Sequence, residues 1–159
     1  MKVFRIAAET PDYRAADISG GGAAEYGGRW NAKGAFMVYS AESIALAYLE
    51  TLTTLVRGAP PRNRYLIEID IPADVWKRRR DAENDRTLPP GWDARPPGPA
   101  SIEYGTAWLT SKVSAVLVVP SVVVPQERNI LINPRHPAST RITAMNRGQA
   151  LYDYRLLPK

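Results

Sequence analysis

Residues 27–31 read Gly-Gly-Arg-Trp-Asn, a fixed cation on a turn that two glycines keep close-fitting. Gly27 and Gly28 can take positive φ and let a ligand approach the backbone, while Arg29 offers a planar fork of donors that matches phosphate oxygens. Trp30 supplies a large rigid surface beside it. The pattern suits the grip of an anion; a solvated arginine on an ordinary turn is the other reading of the same residues. Glu50 is the second group of interest. On the wheel of a helix expected over residues 41–56, it lies opposite an apolar arc of Ile44, Tyr48, Leu52 and Leu55, near Leu46, Ala47 and Thr54. It is either a solvent-facing glutamate or, because its neighbours are small or apolar and no Lys or Arg stands at i±4, the border of a second, partly dry surface.

Inventory removes the commoner catalytic sets. His136 is the sole histidine, placed between Arg135 and Pro137 in a turn-like, exposed setting, so a Ser-His-Asp system lacks its base. The chain has no cysteine, which excludes disulfides, thiol nucleophiles and thiolate zinc sites, and no metal site is expected. Neither a Walker loop nor Gly-x-Gly-x-x-Gly is present to cradle phosphates. Arginine, tyrosine, glutamate and serine remain.

The elements that must position these groups follow from periodicity. A strand is expected over Lys2–Ala7 and a second over residues 35–40, separated by a Gly/Ala-rich connection at 15–28 of the kind that often borders a ligand. Gly58 and Pro60-Pro61 should stop the helix that carries Glu50. Tyr65–Ile71 alternates with period two and ends at Pro72. Residues 84–100 hold five prolines and read as a loop that Trp92 pins to the body; Tyr104–Lys112 reads as a short helix. Strands are expected at Ser114–Val119, between Pro120 and Pro125, and at Asn129–Ile132, forming a sheet, with Asn133-Pro134 as a turn. The tail from Arg135 to Lys159 reads as irregular or a short edge strand.

At 159 residues the chain suits one compact α+β domain over residues 1–159, a β-sheet core with flanking helices. It opens without an apolar leader, and its longest apolar stretch, near 115–125, is broken by Pro120; a cytoplasmic protein without a membrane association is expected. The net charge of +5 and pI near 9.6 raise a nucleic-acid reading. Against it, the dense run Lys77-Arg78-Arg79-Arg80 is flanked by Asp74, Asp81, Glu83 and Asp85, and the excess lies at the C-terminal end. No direct nucleic-acid binding is expected, and a basic binding module is the alternative class.

Read in order, Gly-Gly-Arg-Trp-Asn, Val38-Tyr39-Ser40, Ala-Tyr-Leu-Glu at 47–50, Gly105-Thr106-Ala107-Trp108-Leu109, Val-Val-Pro-Ser at 118–121 and Asn129-Ile130-Leu131-Ile132-Asn133-Pro134 make the chain resemble the RES-domain proteins. The matching positions of the family's arginine, glutamate and serine are Arg29, Glu50 and Ser121. The resemblance implies a fold like that of the ADP-ribosyltransferases and a bacterial toxin that consumes NAD as substrate, by hydrolysis or phosphorolysis, or that attaches ADP-ribose to a cellular protein. It also implies a partner, an Xre-type helix-turn-helix antitoxin, and makes a homodimer plausible. No separate cofactor is expected.

The resemblance assigns phosphate binding to Arg29, the nicotinamide or ribose pocket to Tyr39, stabilisation of the ribosyl cation to Glu50, and holding or orienting of substrate to Ser121. These residue types suit cleavage of the nicotinamide–ribose bond. Positive charge builds on the sugar as the leaving group departs, and a nearby carboxylate lowers that barrier, as in glycoside cleavage. Nicotinamide leaves as a neutral molecule, so no general acid is obligatory. Arg5 and Asn133 match further family positions but are left outside the catalytic set, since either could be structural.

Overall fold

The computed structural model describes residues 1–53 and 63–156 of the chain. Its centre is a seven-stranded sheet built from β1 (Lys2–Ala8), β2 (Val38–Ala41), β3 (Arg64–Asp70), β4 (Arg80–Asp81), β5 (Val116–Pro120), β6 (Arg128–Ile132) and β7 (Thr143–Gln149). The spatial order is β4-β5-β6-β2-β1-β3-β7; only the β4–β5 pair is parallel. Helices α1 (Gly21–Tyr26), α2 (Ile44–Leu52), α3 (Ala73–Lys77) and α4 (Pro99–Ser111) flank it. The expected α+β architecture is the one observed.

Val116-Leu117-Val118-Val119-Pro120 is buried at every position because both faces of β5 are covered. Val116 and Val118 pack with Val3, Ile67, Ile69, Ile130 and Ile132, whereas Leu117 and Val119 turn to Trp30, Met37, Trp108 and Leu131. Strand periodicity thus sends alternate residues into two separate cores.

The register between strands sets the site. β1 pairs with β3 along its whole length, from Lys2↔Asp70 to Ala8↔Arg64, but with β2 only at Phe4↔Ala41. In an unbroken ladder Ile6 would face Tyr39; instead the two strands part beyond Phe4, and the sheet opens into a cleft between them.

Several expectations are corrected. Within the described residues α2 begins at Ile44, where Ser43 caps it by accepting a bond from the Leu46 amide at 3.0 Å; residues 54–56, Gly58, Pro60 and Pro61 lie outside them. The helix is turned the other way round from its apolar arc. Leu46 and Ala47 are buried against Ala41, Phe4 and Ile6, while Ile44 and Leu49 are 43% and 38% exposed. Tyr48 packs edge-on against Tyr152. The connection at 15–28 contains α1. The fourth helix starts at Pro99, five residues before the expected Tyr104, because extended Gly98 leads into a proline at the first helical position. No strand forms between Pro120 and Pro125: the Ser121 Oγ accepts from the Val123 and Val124 amides, both at 3.0 Å, and the Glu127 amide closes on the Val124 carbonyl. The tail supplies a seven-residue edge strand, β7, and short 3₁₀ turns at Pro137–Arg141 and Tyr154–Leu156.

Candidate functional site

A cavity of about 820 Å³ occupies the cleft between β1 and β2. Arg5, Arg29, Tyr39, Glu50, Arg64 and Arg95 border it. Four arginines and one glutamate therefore border a common space, an arrangement that favours an anionic ligand and reserves one negative point within it.

The Gly-Gly-Arg-Trp-Asn turn is a small bonded unit. Gly27 takes φ 76° at the end of α1, and the Gly28 and Asn31 backbones pair with each other. A Cβ on Gly28 would stand 2.6 Å from the Tyr39 hydroxyl, so only glycine lets the turn close on that tyrosine. Asn31, 1% exposed, donates from Nδ2 to the carbonyls of Ala23, Ala32 and Ala35 at 2.8, 3.0 and 3.0 Å. Its Oδ1 accepts from the Tyr39 hydroxyl at 2.7 Å, and that hydroxyl accepts from the Trp30 amide at 2.9 Å. Burial pushes the Tyr39 phenol well above its usual pKa, so it stays protonated and serves as the bracket of the turn.

Trp30 is among the residues that border the cavity, yet it is packed within the protein. Its indole is 2% exposed, stacked on Trp92 with ring centroids 5.8 Å apart and meeting Tyr104 edge-on at 6.0 Å. Trp92 pins the proline-rich loop to the body, as expected. On the other side α4 presses Gly105 against the Trp30 carbonyl, where a Cβ would lie 2.0 Å from that oxygen; the Thr106 hydroxyl accepts from the Ala32 amide at 3.0 Å. The arginine at the head of this unit is half-buried. Arg29 Nη1 donates to the carbonyls of Trp92 and Ala94 at 3.1 and 2.9 Å. Desolvation lowers its pKa, while the Glu50 carboxylate works in the opposite direction.

Glu50 sits on the inward face of α2, the second of the two readings its sequence left open. Its Oε1 accepts from the Ser121 hydroxyl at 2.8 Å and from Asn129 Nδ2 at 2.6 Å. The two donors come from the end of β5 and the start of β6, so the sheet aims the carboxylate. Ser121 is fully buried and already accepts two backbone amides; it orients Glu50 from behind and is not itself among the residues that border the cavity. Arg29, Tyr39 and Glu50 meet at one cavity, and Ser121 holds one of them in place.

Sequence reasoning did not single out Asn129, Arg64 or Arg95. Asn129 stands at the head of a run quoted for its strand character, and only the β2–β6 register, with Ala41↔Asn129, brings it under α2. Arg5 borders the cavity and reaches a backbone carbonyl, that of Asp17, at 3.4 Å, not a carboxylate. Asn133 is structural: buried, it donates to the Leu109 carbonyl at 2.9 Å. His136 is half-buried and uses Nδ1 to accept from the Ala138 amide at 3.1 Å. Among the described residues no three His, Asp or Glu side chains gather as a metal site.

Comparison with known proteins places this geometry. The RES domain profile matches residues 2–153. Over 156 residues the chain is 47% identical to the Prs ADP-ribosylating toxin of Sphingobium sp. (strain YBL2), covering 98% of this chain and 96% of that protein. It is 37% identical over 136 residues to Toxin Res of Yersinia enterocolitica, covering 86% of each. In fold it resembles a chain of the M. tuberculosis MbcT-MbcA toxin–antitoxin complex, with a TM-score of 0.59 at 15% identity, covering 91% of this chain and 82% of that one. With a profile match over almost its whole length and relatives at this identity, the chain belongs to the RES domain family.

Proposed function

We propose that this chain is the toxin of a toxin–antitoxin pair and that it consumes NAD by breaking the bond between nicotinamide and ribose. The observation that carries the reading is Glu50: a carboxylate held by Ser121 and Asn129 at the edge of a cavity whose other charged lining residues are arginines. The diphosphate of NAD is bound by Arg29. The glycosidic C–N bond breaks with its electron pair going to nicotinamide, which leaves neutral, and the ribose C1′ becomes an oxocarbenium-like centre. Glu50 lies beside that developing charge and stabilises it. An acceptor oxygen or other nucleophile then bonds to C1′ and releases its proton.

Water or inorganic phosphate as acceptor makes the protein a hydrolase or phosphorylase. Transfer of ADP-ribose to a protein is the second reading, favoured by the 47% identity to a protein named as Prs ADP-ribosylating. The partner in this account is an antitoxin, which the fold likeness to a toxin–antitoxin complex supports, and the family resemblance makes it of the Xre helix-turn-helix type. Mass spectrometry of nucleotides after incubation with NAD, with and without phosphate, separates free ADP-ribose from its 1″-phosphate. Labelled NAD with lysate reports transfer to protein. No loss of NAD in any of these mixtures rejects the proposal.

A further inference from the structure

Arg95 rides on the proline-rich loop and borders the same cavity as Arg29. The loop is tied down on two sides. On one, Arg29 donates to the carbonyls of Trp92 and Ala94 and Trp30 stacks on Trp92; on the other, Arg95 donates to the carbonyl of Val122, the residue after Ser121. Two arginines that border the cavity thus tie one segment of chain to the Arg29 turn and to Val122.

Their partners distinguish them from the six arginines that form ion pairs, although Arg5 and Arg79 also donate to backbone carbonyls. Arg78, Arg80, Arg128, Arg141, Arg147 and Arg155 each pair with a carboxylate, whereas among the described residues neither Arg29 nor Arg95 forms a salt bridge. Both border one cavity, and burial first, then the Arg95 charge, lowers the pKa of Arg29. Two neighbouring cations that donate to neutral carbonyls gain when an anion replaces those acceptors, because charge-assisted bonds to phosphate are shorter and roughly twice as strong.

We propose that Arg95 is a second diphosphate-binding residue, clamping a nucleoside diphosphate together with Arg29, and that in the free protein both are parked on backbone carbonyls so that residues 92–97 strap the cavity mouth. Binding of the diphosphate draws both guanidiniums off the carbonyls of Trp92, Ala94 and Val122 and releases the strap. The proposal rests on the NAD reading for its biological ligand, but the clamp is a property of the diphosphate alone.

The test is calorimetric titration of the full chain with ADP, a probe that lacks nicotinamide. Arg95→Ala should weaken ADP binding at least tenfold and Arg95→Lys by less, since lysine keeps the charge but loses the fork. Adenosine, without phosphates, should bind wild type and Arg95→Ala alike. Arg135→Ala, which removes a cation stacked on Phe36, serves as the control and should leave ADP affinity unchanged. Arg95 is exposed, and circular dichroism checks that the variant is folded. Wild-type protein without measurable ADP affinity, or Arg95→Ala within twofold of wild type, overturns the clamp. ADP affinity that depends on Arg95 in a protein that leaves NAD intact upholds the clamp and rejects the NAD reading; the converse pair of results does the opposite.

Discussion

In the proposed reaction Glu50 stabilises the developing cation, and its two donors fix how its variants behave. Glu50→Gln keeps an oxygen for Ser121 and Asn129 but removes the negative charge. NAD consumption should fall by about 10²–10³-fold with the fold intact, the scale of losing one preorganised electrostatic group. Ser121→Ala acts differently. It frees one side of the carboxylate and strands the Val123 and Val124 amides, so unfolding should show a loss of about 1–3 kcal/mol together with reduced turnover. Tyr39→Phe leaves the Trp30 amide and Asn31 Oδ1 unpartnered within the turn that carries Arg29. It too should cost about 1–3 kcal/mol, measured by denaturant titration. At this scale the residues alone left Arg29 and Glu50 open between a solvated and a site reading, and the resemblance to the RES-domain proteins singled them out. The role of Ser121 was not legible, because a serine that orients another side chain is indistinguishable in sequence from one that touches substrate.

Among the elements, α2 and α4 do the positioning. Gly105 lets α4 lie against the backbone of the Arg29 turn, and a Cβ there would meet the Trp30 carbonyl, which cannot swing away as a side chain can. Gly105→Ala should destabilise by about 1–3 kcal/mol and weaken substrate binding together with stability, because the turn must move. Across the far edge of the sheet, Glu68 on β3 takes Lys2 of β1 at 2.7 Å and Arg147 of β7 at 2.9 Å. Arg147 first and Lys2 second hold its carboxyl down at about 2, against an ordinary value of 4.5. Since the folded value lies below the unfolded one, this contribution is complete above pH 4.5 and is lost as pH falls toward 2. Thermal unfolding of wild type and Glu68→Gln should therefore differ at neutral pH and converge as pH falls through that window. The positions of β1, β3, β5 and β6 were readable from period-two patterns and β-branched runs, whereas β4, the turn after Pro120 and the facing of α2 were not. Ile44 of its apolar arc is exposed and Tyr48 and Leu52 are half-buried, while Leu46, Ala47 and Glu50 face the sheet and the cleft, and periodicity records hydrophobicity without recording what lies opposite.

For the molecule as a whole, charge is divided by place. Arg128, Arg141, Arg147 and Arg155, which make up most of the C-terminal basic excess, each meet a carboxylate, while Arg5, Arg29 and Arg95 at the cavity donate to backbone carbonyls. No helix among the described residues is long and apolar enough to cross a membrane. The cleft itself was invisible in sequence, since it arises from a ladder between β1 and β2 that stops after one pair, and nothing in either strand taken alone announces the break. The central claim is that the carboxylate in this cleft assists departure of nicotinamide. Its most direct test is the rate of nicotinamide release from NAD by purified wild-type protein and by folded Glu50→Gln, followed by mass spectrometry. The account predicts release by wild type and a loss of at least about a hundredfold in the variant; equal release by both, or none by wild type, contradicts it.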